Sequence, residues 1–128
     1  MYAWVVFLHV LAALVFMLAH GGQAAVMVLT TPELRALWDQ ELGQMRERIK
    51  TIRRQLVEKI RAARSDFDFS FVVRQRGLFS YSGLSREQVK RLREQYSLYA
   101  IDSGRICVPA LNSRNVDYVA RAIASVIV

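Results

Sequence analysis

The first 30 residues contain no lysine, arginine, aspartate or glutamate, so every charged side chain lies in residues 31–128. This asymmetry divides a chain of 128 residues into an apolar leader and an ordinary charged sequence. At that length the chain holds one domain, or a small domain with an appended segment. Tyr2 to Ala19 is apolar except for His9, and a weaker apolar run continues from Ala24 to Leu29. A membrane span needs about 20 apolar residues, and this run supplies them. Tyr2 and Trp4 suit an interfacial aromatic belt. No positive segment precedes the run, which makes it a poor signal peptide. If it inserts, the Arg-rich sequence from Arg35 onward stays on the cytoplasmic side.

His9 and His20 fall near one face of a helix, because their spacing brings them to nearly the same angle. Such a pair could ligate haem or a metal. A single helix makes no haem pocket, however, and no further His, Asp or Glu joins the pair, so the plainer reading is two unrelated histidines. The formal net charge of +7 raises the question of nucleic-acid binding. Many of the arginines alternate with acids, as in Met45-Arg46-Glu47-Arg48 and Arg91-Leu92-Arg93-Glu94. That pattern marks a solvated helix face. No aromatic-basic motif accompanies it, and no nucleic-acid partner is expected. A single cysteine, Cys107, excludes an internal disulfide and fits a reducing compartment. Its context, Arg105-Ile106-Cys107-Val108, predicts a buried structural thiol in a strand.

Thr31-Pro32-Glu33 reads as a helix start: a hydroxyl N-cap, proline in the first turn, and an acid at the positive end of the helix dipole. Leu34, Trp38, Leu42, Met45, Ile49, Ile52, Leu56 and Ile60 then form one continuous apolar stripe. The helix should run to about Ala63, roughly 45 Å at about 1.5 Å per residue. Such a helix either crosses between domains or offers a coiled-coil surface. The leader could instead fold back on this stripe as a hairpin through Gly21-Gly22.

After Ser65 the period changes. Phe67, Phe69, Phe71 and Val73 alternate with Asp68, Ser70 and Val72, predicting a strand with an aromatic face. Gly77 and Gly83 bracket a turn-rich segment from Leu78 to Ser82. Ser85 and Gln88 make a capping-box pair that opens a helix with Val89, Leu92 and Tyr96 on one side. Strands are expected at Leu98–Ile101 and Arg105–Ala110 around the turn Asp102-Ser103-Gly104. A last helix from about Arg114 turns Val116, Val119, Ile123 and Ile127 inward. The expected fold class is α+β: an apolar N-terminal helix, a long helix of interdomain type, and a small β-α-β-β-α domain. The corresponding segments are 1–30, 31–64 and 65–128.

Gly77-Leu78-Phe79-Ser80-Tyr81-Ser82-Gly83-Leu84, then Gln88-Val89, Arg91-Leu92-Arg93-Glu94 and Ser103-Gly104-Arg105, closely resemble the C-terminal region of class I aspartate and aromatic-amino-acid aminotransferases. Leu34-Arg35-Ala36-Leu37-Trp38 and Met45-Arg46-Glu47-Arg48-Ile49 resemble that family's interdomain helix, and Ala19-His20-Gly21 falls in register with the loop before it. The resemblance covers about residues 19–128 and stops at what reads as an unrelated apolar leader. Tyr81 and Leu111-Asn112 lean toward the aromatic branch. The resemblance implies a dimeric, cytoplasmic family that uses pyridoxal phosphate to move an amino group from an amino acid to 2-oxoglutarate. It assigns Arg105 to the substrate α-carboxylate, a role suited to a planar guanidinium with two parallel donors. Phe79 resembles the aromatic residue that packs near the substrate, and simple core packing is the competing reading.

The family's Schiff-base lysine stands in a Ser-x-Ser-Lys type context, and here the lysines are Lys50, Lys59 and Lys90, all in helical contexts. The family's cofactor domain has no counterpart before residue 19. The chain is therefore expected to bind no pyridoxal phosphate by itself and to have no catalytic residue of its own. Three functions follow from this: an inactive aminotransferase fragment, a small interaction module anchored to the inner membrane face by residues 2–19, or a piece that completes a site with a full-length subunit.

Overall fold

The computed structural model describes residues 2–127, and side chains from Trp4 to Ile127. It divides into two units, Met1–Gln44 and Met45–Val128. Among the described residues, five α-helices and one two-stranded sheet make it mostly helical.

The first unit contains α1 (Tyr2–Thr30) and the beginning of α2 (Pro32–Ala63). Thr31 interrupts the helical run, and Pro32 follows as the first residue of α2, where its missing N–H leaves no bond unmade. The start predicted at Thr31-Pro32-Glu33 is thus observed. α1 passes unbroken through Gly21 and Gly22, so no hairpin forms there. Its apolar side chains from Trp4 to Leu29 are exposed, except for the half-buried Val28. The side chain of Tyr2, the other proposed belt residue, lies outside the described residues. Ala19-His20-Gly21 is helical, with the His20 ring 2.7 Å from the Phe16 carbonyl through Nδ1. Among the described residues no group of three or more His, Cys, Asp or Glu could hold a metal.

The second unit carries the core. The stripe on α2 is buried at Ile52, Leu56 and Ile60, and half-buried at Ile49. These side chains pack with Phe69, Val72, Leu84, Val108 and Leu111. Val89 and Leu92 join them from α4 (Arg86–Tyr96), and Val116, Ala120, Ile123 and Val126 from α5 (Val116–Val126). Leu34, Trp38 and Met45 of the same stripe are exposed.

Three strand expectations need correction. The segment expected as a strand at 67–73 forms a turn and then the one-turn helix α3 (Phe71–Arg74). Asp68 Oδ1 accepts the Ser70 N–H at 2.8 Å, and the Val72, Val73 and Gln75 N–H groups bond three residues back, to Phe69, Ser70 and Val72. Local bonds thus satisfy the backbone that a ladder would have used. Burial follows the helical offset, with Phe69 and Val72 inward and Val73 out. Leu98–Ile101 is irregular: Ser97 closes α4 at φ +52°, and Leu98 N–H turns back to the Leu92 carbonyl at 3.1 Å. The turn-rich segment after Gly77 contains β1 (Phe79–Tyr81), which pairs antiparallel with β2 (Arg105–Cys107). β2 stops before Pro109, which cannot donate to a ladder, and a 3-10 turn over Val108–Ala110 follows. The last helix starts two residues later than predicted. The side chains of Asn112 and Asn115 hold that loop: Asn112 N–H donates to Asn115 Oδ1 at 2.7 Å and Arg114 N–H to Asn112 Oδ1 at 2.9 Å.

Candidate functional site

Three residues of each strand define the site. Phe79 stands opposite Cys107, Ser80 opposite Ile106, and Tyr81 opposite Arg105. Side chains alternate across a ribbon, and directly opposed residues share a face. Ser80 therefore points inward and is buried, while Phe79, Tyr81, Arg105 and Cys107 share the exposed face. Flanking bonds run from Ser82 N–H to the Gly104 carbonyl at 2.8 Å and from Val108 N–H to the Leu78 carbonyl at 3.0 Å. They make Tyr81–Arg105 and Phe79–Cys107 the non-hydrogen-bonded pairs, where opposed side chains lie closest. Arg105 thus has Tyr81 across from it and Phe79 on the diagonal, about 7–8 Å away. The two sequence-predicted site residues come together on one face.

Cys107 is exposed on that same face, so the expected buried thiol is a correction. The ribbon turns Ile106 toward the core, and alternation then turns its neighbour outward.

The approach to Arg105 is a tight turn. Gly104 N–H donates to the Ile101 carbonyl at 2.8 Å, and Ile101 N–H to the Arg105 carbonyl at 3.2 Å. Gly104 adopts φ +77°, and a Cβ there would lie 2.7 Å from the Leu84 carbonyl oxygen, so only glycine fits. The buried Ser82 hydroxyl donates to the Gly104 carbonyl at 2.6 Å and accepts the Leu84 N–H at 3.3 Å. Asp102, the acid nearest in sequence to Arg105, pairs with Arg86 at 3.3 Å and Arg93 at 3.1 Å. Among the described residues Arg105 itself makes no ion pair within 4 Å.

β1 is held from the opposite edge and from below. The Gln75 side-chain amide donates to the Tyr81 carbonyl at 2.9 Å and accepts the Tyr81 N–H at 2.7 Å. Arg53 of α2 is buried beneath the strand. Its Nε donates to Ser80 Oγ at 3.1 Å, and its two terminal nitrogens to the Gln75 and Gly77 carbonyls at 2.6 Å each. Burial pulls the Arg53 pKa below the ordinary arginine value, yet a guanidinium remains charged. Sequence reasoning passed over Arg53. The available signal was its position, four residues after Ile49 and three before Leu56, on the inward arc of the stripe.

The lysines stand away from this ribbon on helices, each facing a carboxylate. Lys50 pairs with Glu47 at 2.6 Å, Lys59 with Asp117 at 2.5 Å, and Lys90 approaches Glu94 at 4.0 Å. The side chains present on the ribbon face do not fit a pyridoxal phosphate group, which needs an amine for its imine bond.

The profile of the family described as aminotransferase class I and II matches residues 3–123, so the apolar segment read as an unrelated leader falls almost wholly inside the match. The chain is 52% identical over 108 residues to the aspartate aminotransferase of Pseudomonas aeruginosa, covering 84% of this chain and 27% of that protein. It is 44% identical over 106 residues to the aromatic-amino-acid aminotransferase of Escherichia coli, covering 83% and 27%. The aromatic-amino-acid aminotransferase of Burkholderia pseudomallei, in a crystal structure covalently bound to pyridoxal phosphate, superposes with a TM-score of 0.82. Its identity is 58%, over 85% of this chain and 27% of that one. The chain spans about a quarter of the length of the relatives it matches.

Proposed function

The chain belongs to the class I and II aminotransferase family, and from that premise we propose that it is the carboxylate-binding C-terminal portion of an aspartate or aromatic-amino-acid aminotransferase, without transaminase activity of its own. The observation that carries this reading is Arg105, exposed beside Tyr81 and diagonal to Phe79, with no ion pair among the described residues. A guanidinium so presented offers two parallel N–H donors to the α-carboxylate of an amino acid or 2-oxo acid. The exposed ring of Phe79 borders the same face, where it would lie against the body of a bound molecule. Bound pyridoxal phosphate would act as the electron sink of transamination. This chain's residues supply carboxylate binding and orientation, and no lysine for the imine. Cofactor and proton transfer therefore belong to other parts of a complete enzyme, including a full-length partner subunit.

Two measurements test this. The purified chain, mixed with pyridoxal phosphate and reduced with borohydride, should show no stoichiometric lysine adduct by mass spectrometry. A single-site adduct with turnover of aspartate or tyrosine would overturn the assignment of inactivity. Succinate should shift the NMR resonances of Phe79, Tyr81 and Arg105 saturably, and Arg105→Met should abolish that response.

A second reading, a membrane-anchored interaction module, is favoured by one observation. Trp4–Thr30 is 27 helical residues long, and its most apolar 18-residue stretch has mean hydropathy 2.1 with none of it buried. At about 1.5 Å per residue it is roughly 40 Å long, enough for a hydrocarbon core of about 30 Å. Flotation of the chain with lipid vesicles after alkaline carbonate washing would support it; full recovery in the soluble fraction without detergent would remove it.

A further inference from the structure

Arg53 is a buried cation with no anion beside it. Its three hydrogen bonds go to two carbonyls and one hydroxyl, and among the described residues no carboxylate lies within 4 Å of it. Burying an unpaired charge is costly, and apolar packing of similar volume would often serve stability as well or better. The bonds it makes have one thing in common: all three end on β1 or the loop that leads into it. Ser80 is the inward residue between the outward Phe79 and Tyr81. Gln75, whose carbonyl Arg53 holds, grips both backbone groups of Tyr81 with its side chain. Gly77 opens the turn into the strand at φ +87°. β1 in turn sets the register of β2, which presents Arg105.

The geometry points to Arg53 as the positioning residue of the carboxylate site: anchored in α2, it holds β1 from beneath so that Phe79, Tyr81 and Arg105 keep one shared outer face. This rests on the carboxylate role of Arg105. The planar guanidinium explains the choice of residue, since one rigid fork reaches three acceptors in fixed directions and a lysine ammonium does not. The bonds lie on the side of the ribbon away from the ligand, so Arg53 acts through β1 and touches no substrate. Its buried positive charge also favours an anion over the outer face.

The test uses the full chain, with succinate as the probe and NMR of the folded resonances as the readout. A dissociation constant read from the folded population does not change when a residue is merely structural, because lost stability alters only how much protein is folded. The unmodified chain should bind saturably. Arg53→Gln should weaken binding about tenfold, the scale on which partners that orient a binding group act. Arg53→Lys, which keeps the charge but not the fork, should recover only part of the loss. Affinities within about twofold of the unmodified chain in both folded variants overturn the proposal and leave the Arg105 reading intact. If neither variant folds, Ser80→Ala decides: it removes one acceptor, and unchanged succinate affinity overturns the proposal. Absence of saturable binding by the unmodified chain overturns the Arg105 reading, and this proposal with it.

Discussion

Replacing Gly104 by alanine tests the turn that delivers Arg105 to its face. Two costs act there together. The backbone sits at φ +77°, where an L-residue with a Cβ loses about 1–2 kcal/mol. The new Cβ would also stand 2.7 Å from the Leu84 carbonyl oxygen, well inside ordinary contact. That oxygen cannot easily withdraw, because Leu84 is buried in the core and its N–H is held by Ser82 Oγ. Forcing an atom into a packed site costs about 1–3 kcal/mol, so the sum is about 2–5 kcal/mol. Gly77 is the internal control: its φ is +87°, but a Cβ there meets nothing within 4 Å. Gly77→Ala should therefore cost only the backbone part, about 1–2 kcal/mol. Urea unfolding followed by the core methyl resonances of Val89 and Ile123 measures both. Tryptophan fluorescence does not serve, because Trp4 and Trp38 both lie in the other unit. At equal slope the midpoint shifts should differ about twofold, with Gly104→Ala the larger. Equal shifts would show that the contact with Leu84 is soft and would refute the steric argument.

Other perturbations probe separate parts of the second unit. Ser85→Ala removes a capping box in which Gln88 N–H donates to Ser85 Oγ at 3.3 Å and Ser85 N–H to Gln88 Oε1 at 2.8 Å. It should cost about 1 kcal/mol by urea midpoint, and no measurable loss would mean that α4 is held by packing alone. Asp68 has its pKa lowered, first by the backbone N–H of Ser70 and then by the Ser70 side chain. A depressed folded value means stability present above the unfolded value of about 3.9 and lost as pH falls through the folded one. The deficit of Asp68→Asn against the unmodified chain should thus be steady near neutrality and shrink below about pH 4; a deficit independent of pH would oppose it. Cys107 is the chain's one thiol and shares the face of Phe79 and Arg105. Saturating succinate should slow its alkylation by iodoacetamide severalfold, as read by mass spectrometry. Equal protection in Arg105→Met would place the ligand elsewhere.

The longer helices were legible in the sequence because their signals are local. Pro32 and the Leu34–Ile60 stripe mark α2, Ser85 with Gln88 marks α4, and the run from Trp4 to Leu29 marks α1. The Ser103-Gly104-Arg105 and Phe79 motifs single out the candidate site through their resemblance to a known family. Strands were read less well, since a strand is decided by its partner. Phe67 to Val73 alternates like a strand, yet Asp68 and Ser70 satisfy the backbone locally, and among the described residues the sheet is β1 and β2 alone. Phe79–Tyr81 looks like turn sequence, yet Arg105–Cys107 is there to pair with it.

By itself, then, the sequence determined where the longer helices run and where the charge lies, and its family resemblance singled out Arg105 as the arginine to propose for a carboxylate. Tertiary structure alone decided three things: that Arg53 is a buried support, that Cys107 faces outward, and that the apolar stripe of α2 is fully buried only at Ile52, Leu56 and Ile60 among the described residues. The reason is that helix bonds close within four residues, whereas a ribbon face and a buried guanidinium depend on groups more than 20 residues away along the chain.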